Sequence, residues 1–238
     1  MKTSPDLNKK KFILVTGASG DIAQALITKM IHLGYGIIGV DKNDYPNEDI
    51  NFYKVDLSNQ NAINSFVENV LTDWLPQLEG IVHLAGVYPN KNISEYSLNS
   101  WSEVFSINVN SIFLLIQKIL SLNISKLNSI VLVSSTASTL GSRDPAYTAS
   151  KSALNGLGKS LSLALEDQKV RVNTVLPGII DTSMSKVQSP ERKEHHISNT
   201  LAKRMGRPDD VANLISFLLS EEASYIWNST IEINGGMS

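Results

Sequence analysis

Short apolar runs alternate along the chain with longer stretches in which apolar residues recur at helical spacing. Runs of this length are typical of strands buried on both faces of a parallel sheet. Seven such strands are predicted, at 11–16, 36–40, 51–55, 80–85, 130–133, 170–176 and 230–234. Helices are predicted between them at 22–33, 61–73, 101–120, 146–166 and 208–219, the third of these capped by Ser100. The alternation indicates an α/β fold, a Rossmann-type doubly wound parallel sheet of about seven strands flanked by helices.

Length and composition favour a single Rossmann-fold domain over residues 1–238. The chain has 238 residues, of which 42% are hydrophobic, and this is enough for one full core. Residues 1–10 are polar and predict a flexible N-terminal arm. Residues 183–203 are polar and rich in charge, and we expect them to form a substrate lid that orders over bound ligand.

Charge, cysteine content and hydropathy narrow the classes of partner. The net charge is −2, and no basic run extends beyond Lys9–Lys11, so a nucleic-acid-binding surface is not expected. The chain has no cysteine, which is compatible with a reducing cytoplasm and leaves no thiolate for catalysis. No apolar run approaches the length of a membrane span. We therefore expect a cytoplasmic protein that acts on small molecules and does not bind membranes.

The first strand, turn and helix have the layout of a dinucleotide-binding βαβ unit. Gly17 and Gly20 lie in the turn, and Asp41 ends the second strand. Glycines let the backbone approach a pyrophosphate, whose charge is favoured at a helix N-terminus. A carboxylate at the end of the second strand accepts hydrogen bonds from ribose hydroxyls and repels a 2′-phosphate. A tight turn without a ligand is the alternative, and the flanking elements with Asp41 favour nucleotide binding.

A second candidate site lies where the strand at 130–133 ends. Two hydroxyls, Ser134 and Ser135, follow that strand, and Tyr147 and Lys151 lie four residues apart on one helix face. Open α/β sheets bind ligands at the carboxyl ends of their strands. A free phenol has a pKa of about 10, and the Lys151 ammonium is expected to lower it. Taken alone, the pair would also fit a solvated helix face.

Taken in order, these and later segments resemble the short-chain dehydrogenase/reductase family over nearly the whole chain. The matching segments are TGASGDIA at 16–23, Asp41, VDL at 55–57, HLAG at 83–86, Asn108 within SINVN, Ser135 with YTASK at 147–151, PGIIDT at 177–182, RMGRPDDVA at 204–212 and INGG at 233–236. Each motif alone is weak evidence for the family. The motifs occur together, in the family's order and at the ends of predicted strands, and this combination is specific to the family.

The resemblance implies a role for each matching residue. Tyr147 would be the general acid/base, Lys151 its pKa-lowering partner, Ser135 the carbonyl-polarising hydroxyl and Asn108 a relay that holds water. The expected cofactor contacts are Gly17, Ser19, Asp21 and Ile22 at the pyrophosphate, Asp41 at the adenosine ribose, Asp56 and Leu57 at the adenine, Ala85, Gly86, Tyr147 and Lys151 around the second ribose, and Pro177, Ile180 and Thr182 at the nicotinamide.

Three features depart from the family pattern or compete with these roles. Asp21 stands where the family usually has glycine, and its charge is unfavourable beside a pyrophosphate unless it turns outward and caps the helix. Ser134 satisfies the commonest family spacing to Tyr147, but alternation along the strand lets only one of the two serines serve, and Ser135 is preferred. His195 and His196 are interpreted as surface residues beside the lid, and no metal is expected.

The implied reaction is the NAD(H)-dependent interconversion of a secondary alcohol and a ketone by hydride transfer, with NADP less favoured because of Asp41. Two alternatives stay open, an NADPH-dependent 3-oxoacyl-thioester (acyl-carrier-protein) reductase and a non-catalytic nucleotide-sensing scaffold. The family also pairs long helices across two-fold axes, which implies a homotetramer or homodimer through 101–120 and 146–166. Apolar residues proposed for that interface are Ile112, Leu115, Leu154 and Leu161.

Overall fold

One parallel sheet of seven strands organises the protein. The structure, a computed structural model, describes residues 10–45, 47–122 and 126–237, so the predicted arm lies, except for Lys10, outside the described residues. The strands are β1 (Phe12–Thr16), β2 (Gly36–Asp41), β3 (Asn51–Lys54), β4 (Leu78–His83), β5 (Ser129–Val133), β6 (Arg171–Pro177) and β7 (Thr230–Ile233). Their order is β3-β2-β1-β4-β5-β6-β7. The order reverses between β1 and β4, which is where a doubly wound sheet opens a crevice for ligands.

Helices cover both faces of the sheet. They are α1 (Asp21–His32), α2 (Gln60–Asn69), α3 (Leu98–Phe105), α4 (Ser111–Ser121), α5 (Ala137–Leu140), α6 (Pro145–Ala164), α7 (Pro190–Ser198) and α8 (Pro208–Leu219). Buried side chains of α2, α4 and α6 form one core layer. Those of α1 and α8 form the other. The predicted Rossmann-type sheet with helices on both faces is confirmed.

The predicted helix over 101–120 begins earlier, at Leu98, and contains a π-helical turn. Its N-cap is Ser97, whose hydroxyl accepts a hydrogen bond from the amide of Ser100, so the prediction that Ser100 is the cap was wrong. Ser100 is instead the third helical residue, and its hydroxyl oxygen accepts a hydrogen bond from the Ser97 amide at 3.1 Å, as in a capping box. Residues Ser106–Asn110 between α3 and α4 form a π-helical turn, a rare conformation found often at functional sites.

The apolar residues proposed for an oligomer interface mostly face the sheet. Ile112, Leu115 and Leu154 are fully buried in the core layer that contains α4 and α6, and Leu161 packs against it. The continuous helical stretch Leu98–Ser121 is long and apolar enough to span a membrane by composition. Because its apolar side chains contribute to the core, these properties are those of a core helix in a globular domain.

A buried arginine joins β6 to the end of α8. The Arg171 guanidinium donates to the carbonyl oxygens of Leu218 (2.7 Å), Ala223 (3.2 Å) and Ser220 (3.1 Å). Leu218 and Ser220 lie at the C-terminal end of α8, which carries partial negative charge, and Ala223 lies in the turn Glu221–Ala223 that follows. Burial lowers the pKa of Arg171, and the three carbonyls compensate for the lost hydration.

Candidate active site

A cavity opens at the carboxyl ends of β4, β5 and β6, beside the reversal of strand order. It is walled on one side by the catalytic candidates on α6 and on the other by the segment 183–196. Of the predicted site residues, the cavity brings together Ile22, Gly86, Ser135, Tyr147, Lys151, Pro177, Ile180 and Thr182. The other predicted residues lie along the adjoining β1–β2 edge or behind the cavity wall.

The glycine turn after β1 requires glycine at one position. Gly17 has a φ of +70°, and a Cβ there would lie 2.7 Å from the backbone nitrogen of Ala85. Any side chain would therefore collide with the neighbouring loop and strain the backbone. The Gly17 and Ala18 amides both donate to the carbonyl of Val40, at 2.9 and 3.2 Å. These contacts hold the turn against the end of β2, close to Asp41.

Asp41 is buried and fixes the conformation of this turn. Its Oδ2 accepts hydrogen bonds from the amide (3.1 Å) and hydroxyl (2.7 Å) of Ser19, and its Oδ1 accepts from the Asn43 amide at 2.9 Å. Two residues predicted to touch the cofactor thus touch each other. Their fixed geometry places an anionic carboxylate at the end of β2, where it disfavours a second anion.

The N-terminus of α1 fits the pyrophosphate of a dinucleotide. Its N-cap is Gly20, and no described side chain caps the helix, so the first-turn amides, among them those of Asp21 and Ile22, are available to an anion. The Asp21 carboxylate turns away to accept from the amide of Ser183 at 2.7 Å. Asp21 therefore does not cap α1, and the proposed contact with pyrophosphate falls to its backbone amide.

Helix α6 presents Tyr147 and Lys151 because a buried aspartate fixes its start. Asp144 is the N-cap, accepts from the Tyr147 amide at 2.9 Å, and is followed by Pro145 at the first helical position. The same carboxylate accepts from the Tyr96 hydroxyl at 2.8 Å and from the amide of Lys91 at 3.1 Å. One buried carboxylate thus ties the loop after β4 to the catalytic helix.

The two serines after β5 point in different directions. The Ser134 hydroxyl donates to the backbone carbonyl of Lys151 at 2.8 Å, so it anchors the strand to α6. The Ser135 hydroxyl lies close enough to the Tyr147 phenol to lower the phenol's pKa. The geometry favours Ser135 as the serine that shares a substrate oxygen with Tyr147, and that role stays a prediction.

Burial dominates the electrostatics of Tyr147 and Lys151 in the protein by itself. It raises the pKa of Tyr147 to about 12, with smaller raising contributions from Tyr88 and Asp144 against the lowering effect of Ser135. Burial also lowers the pKa of Lys151 to about 8. The Lys151 Nζ donates to the Val133 carbonyl at 2.8 Å and lies 5.8 Å from the Tyr147 ring centroid.

The expectation that Lys151 lowers the Tyr147 pKa is therefore not met by the protein groups alone. At that separation the ammonium does not offset desolvation of the phenol, which disfavours the phenolate. The phenol is a proton donor throughout the neutral range. Acting as a base requires additional positive charge near the phenol, which an oxidised nicotinamide carries.

Asn108 lies behind the cavity in the π-helical turn and is fully buried. Its Oδ1 accepts from the Val87 amide at 2.8 Å, and its Nδ2 donates to the Ser150 hydroxyl at 2.9 Å. Ser150 in turn donates to the carbonyl of Tyr147 at 2.8 Å. His83 contacts the Asn108 carbonyl at 3.3 Å, and burial lowers the His83 pKa to about 3, so its ring is neutral. The π turn thus connects β4 to the backbone of Tyr147.

The remaining residues predicted to contact the cofactor follow the strands β3, β4 and β6. Leu57 and Ala85 are buried at the ends of β3 and β4. Asp56 accepts from the hydroxyl and the amide of Ser58, at 2.7 and 2.9 Å, and these bonds lower its pKa. A Cβ at Gly86 would lie 3.3 Å from the Lys151 Nζ, so glycine leaves room for the ammonium. Thr182 is the N-cap of the turn Ser183–Val187.

Of the further residues that line the cavity, Tyr88, Gln188 and Arg192 were given no role from the sequence, and His196 was interpreted as a surface residue. Tyr88 packs edge-on against the Tyr147 ring with centroids 4.9 Å apart. Gln188, Arg192 and His196 enter from the segment interpreted only as a polar lid. His195 contacts Asn199 instead. The four-residue spacing of Arg192 and His196 would have indicated a shared helix face. Within the described residues, no group of three or more His, Asp and Glu is placed to hold a metal ion.

Comparisons with known proteins show similarity to reductases over most of the chain. A family model described as Enoyl-(Acyl carrier protein) reductase matches residues 40–238. The 3-oxoacyl-(acyl-carrier-protein) reductase FabG of Vibrio cholerae is 32% identical over 237 residues, covering 95% of this chain and 97% of the relative. FabG of Aquifex aeolicus is 33% identical over 229 residues, covering 94% of this chain and 86% of the relative.

Solved structures give the same result. A 4-hydroxyisoleucine dehydrogenase complexed with NADH superposes with a TM-score of 0.88 at 25% identity, covering 96% of this chain and 99% of that one. A short chain dehydrogenase family protein from Francisella tularensis superposes with a TM-score of 0.84 at 27% identity, covering 96% and 98%. With the sheet order and the motifs at its strand ends, these similarities show that the chain belongs to the short-chain dehydrogenase/reductase family and is an oxidoreductase that uses a nicotinamide cofactor.

Proposed function

We propose that the protein interconverts a secondary alcohol and a ketone with NAD(H), using Tyr147 as general acid and base. The observation that carries this proposal is the convergence of Ser135, Tyr147 and Lys151 on one cavity wall, beside a glycine turn whose Ser19 is held by Asp41. A bound nicotinamide supplies or accepts the hydride. The residues of the chain bind and orient the substrate and move its hydroxyl proton.

In ketone reduction, Ser135 donates a hydrogen bond to the carbonyl oxygen and Tyr147 gives that oxygen its proton. A phenol with a pKa of about 12 is fully protonated at neutral pH. Tyr147 therefore holds the proton that it donates to the substrate oxygen. Lys151 lies beside the phenol and stabilises the negative charge that Tyr147 acquires. In alcohol oxidation the same groups work in reverse, and the rate rises with pH as the phenol ionises.

Asp41 supports the preference for NAD(H) over NADP(H). Its carboxylate is buried and fixed by Ser19 and Asn43, so it cannot move away from a 2′-phosphate at low cost. The neighbouring Lys42 is exposed and acts electrostatically on Asp56. A solved relative complexed with NADH also supports this choice.

A second candidate function is the reduction of 3-oxoacyl thioesters, which the similarity to 3-oxoacyl-(acyl-carrier-protein) reductases favours. The experiment that separates the two candidates is a matrix of both cofactors against small ketones, secondary alcohols and a 3-oxoacyl thioester, followed by absorbance of the reduced cofactor. Turnover of small substrates with NADH supports the main proposal. Turnover confined to the thioester with NADPH would replace it, and no turnover with retained NADH binding would favour the non-catalytic scaffold.

We also propose a single cytoplasmic domain that self-associates, with residues 183–203 as its substrate lid. The absence of cysteine from the chain supports a reducing compartment. Self-association is supported by apolar side chains on the outer faces of α4 and α6, where Phe113 is 46% and Leu163 is 69% exposed. The lid is supported by the cavity contacts of Met184, Gln188 and Arg192.

A further inference from the structure

We propose that the substrate carries a carboxylate, bound by Arg192 on the cavity-facing side of helix α7. The inference rests on the proposed function, because it assigns a chemical class to the substrate of that same cavity. It concerns the end of the substrate remote from the reacting carbon, which Ser135 and Tyr147 hold. The class is therefore a short hydroxy acid and the corresponding oxo acid.

Arg192 is connected to Tyr147 through two intervening residues, Asn90 and Tyr88. Its Nη1 donates to the Oδ1 of Asn90 at 3.3 Å, and the same oxygen accepts from the Tyr88 hydroxyl at 2.9 Å. The Tyr88 ring packs on that of Tyr147. This chain of contacts crosses the mouth of the cavity from the lid helix to the catalytic helix. A small molecule held at Tyr147 thus has the guanidinium nearby.

The guanidinium has unused hydrogen-bonding capacity. It carries five N–H donors in a planar fork that matches a carboxylate, and its one described hydrogen bond is the long bond to Asn90. In the part of the chain that the structure describes, Arg192 forms no ion pair. A half-buried arginine without an anionic partner gains most from an anion that enters the site with the substrate.

The charged side chains that line the cavity are positive, which also favours an anionic substrate. Among the described residues that line the cavity there is no aspartate or glutamate, whereas Lys151 and Arg192 both contribute positive charge. His196 lies one turn from Arg192 on the same helix and also lines the cavity. Burial, Arg192 and His195 lower the pKa of His196, so its ring is neutral at pH 7 and offers one N–H donor beside the guanidinium. A cation-lined cavity of this kind concentrates anionic substrates.

Gln188 adds a further unpartnered group on the same wall. Its Oε1 is buried without a hydrogen-bond partner among the described residues, and the side chain lines the cavity. Amide oxygen and nitrogen exchange places by rotation of the side chain, so this position presents either an acceptor or a donor to a ligand. Buried polar atoms without partners are costly unless a ligand or water satisfies them.

The test compares short monocarboxylates of two to six carbons with their neutral amides as ligands of the NADH complex, by calorimetry. The variants are Arg192→Gln, which removes the charge and keeps an N–H donor toward Asn90, and Lys193→Gln, which removes a charge from the neighbouring position outside the cavity lining. In the wild type we expect the carboxylate of best length to bind roughly 10- to 100-fold more tightly than its amide. Arg192→Gln should abolish that difference, and Lys193→Gln should retain it.

Equal binding of carboxylates and amides by the wild type, or no measurable binding of either, would overturn the inference. So would a preference for carboxylate that survives in Arg192→Gln. The same titrations without NADH keep this test separate from the proposed function. If NADH itself fails to bind, the proposed function fails, while the comparison of carboxylate with amide on the chain alone still decides the role of Arg192. For an established hydroxy acid substrate, Arg192→Gln should raise KM for the acid and leave KM for its methyl ester unchanged.

Discussion

Replacing Lys151 by methionine should change how the stability of the protein depends on pH. Burial lowers the pKa of this ammonium from 10.5 to about 8, so the folded state releases a proton that the unfolded chain still holds between these values. Because the unfolded state binds more protons in that window, the stability of the wild type rises with pH from about 8 to 10.5. The methionine variant lacks this contribution.

The expected size follows from the difference between the two pKa values. At about 1.36 kcal/mol per unit of pKa, charged Lys151 destabilises the folded state by roughly 3 kcal/mol at pH 7. The penalty falls to below about 1 kcal/mol at pH 10, where the folded lysine is already neutral and the unfolded lysine has begun to lose its proton. The variant also leaves the Val133 carbonyl without the donor it has at 2.8 Å. The loss of this hydrogen bond has the same cost at every pH, so it changes the difference in unfolding free energy between variant and wild type by a constant.

The assay is urea unfolding of wild type and Lys151→Met at intervals from pH 7 to 10. The difference in unfolding free energy, variant minus wild type, should fall by about 2.5 kcal/mol across this range. Lys159→Met, an exposed lysine on the same helix, controls for loss of one positive charge. A difference that is constant with pH, or that grows in favour of the variant, would refute the argument that burial controls Lys151.

Three further predictions concern the cofactor, the core and the assembly. Asp41→Ser should raise kcat/KM for NADPH relative to NADH by about tenfold or more, because it removes a buried negative charge from the 2′-phosphate position; an unchanged ratio would contradict the role of Asp41. In urea unfolding, Arg171→Met should lower the free energy of unfolding by about 2–3 kcal/mol, because the three hydrogen bonds from the buried guanidinium to the carbonyls of Leu218, Ser220 and Ala223 are lost. The exposed Arg143→Met variant should cost little. Light scattering at micromolar concentration should show a dimer or tetramer, and a monomer would contradict self-association.

The strands were predictable because a doubly wound sheet buries them on both faces. The runs that became β1, β2 and β5 are apolar almost throughout, β6 alternates apolar residues with Arg171, Asn173 and Thr174, and the neighbouring segments contain recognisable turns and helix starts. Even Arg171, a charge inside such a run, did not disturb the assignment, because its guanidinium leaves the sheet and reaches the end of α8. Periodicity does not reveal this, since the partner carbonyls are 47–52 residues away.

Helix faces and the lid were harder to predict. Spacing places Ile112 and Leu154 on helices but does not say which face meets the sheet, and both proved to be core residues. The π turn at Ser106–Asn110 rotates Asn108 relative to a regular helix, which no simple period anticipates. In the segment 183–203 the polarity that suggested a surface lid also includes Arg192 and His196, which face the cavity. The presence of charged residues in a sequence does not show whether their side chains face solvent or a polar ligand site.

The electrostatics of the site depended on distances that the sequence does not contain. Four residues of separation along a helix place Lys151 near Tyr147, but the Nζ reaches the Val133 carbonyl and lies 5.8 Å from the ring. Burial then outweighs the charge, and the pKa of Tyr147 rises to about 12 rather than falling. The identity of the acid/base candidate was readable from the motif, whereas the sign of its pKa shift was not.

The most direct test of the account is the turnover of Tyr147→Phe on a substrate established by the cofactor and substrate matrix. The variant lacks only the phenolic hydroxyl, so packing against Tyr88 and the fold of α6 should persist. We expect kcat to fall by at least about 100-fold, the usual contribution of a general acid or base, while the Kd for NADH, measured by fluorescence, stays within about threefold of wild type. Near-normal turnover with the same cofactor affinity would contradict the assignment of Tyr147 as the proton donor.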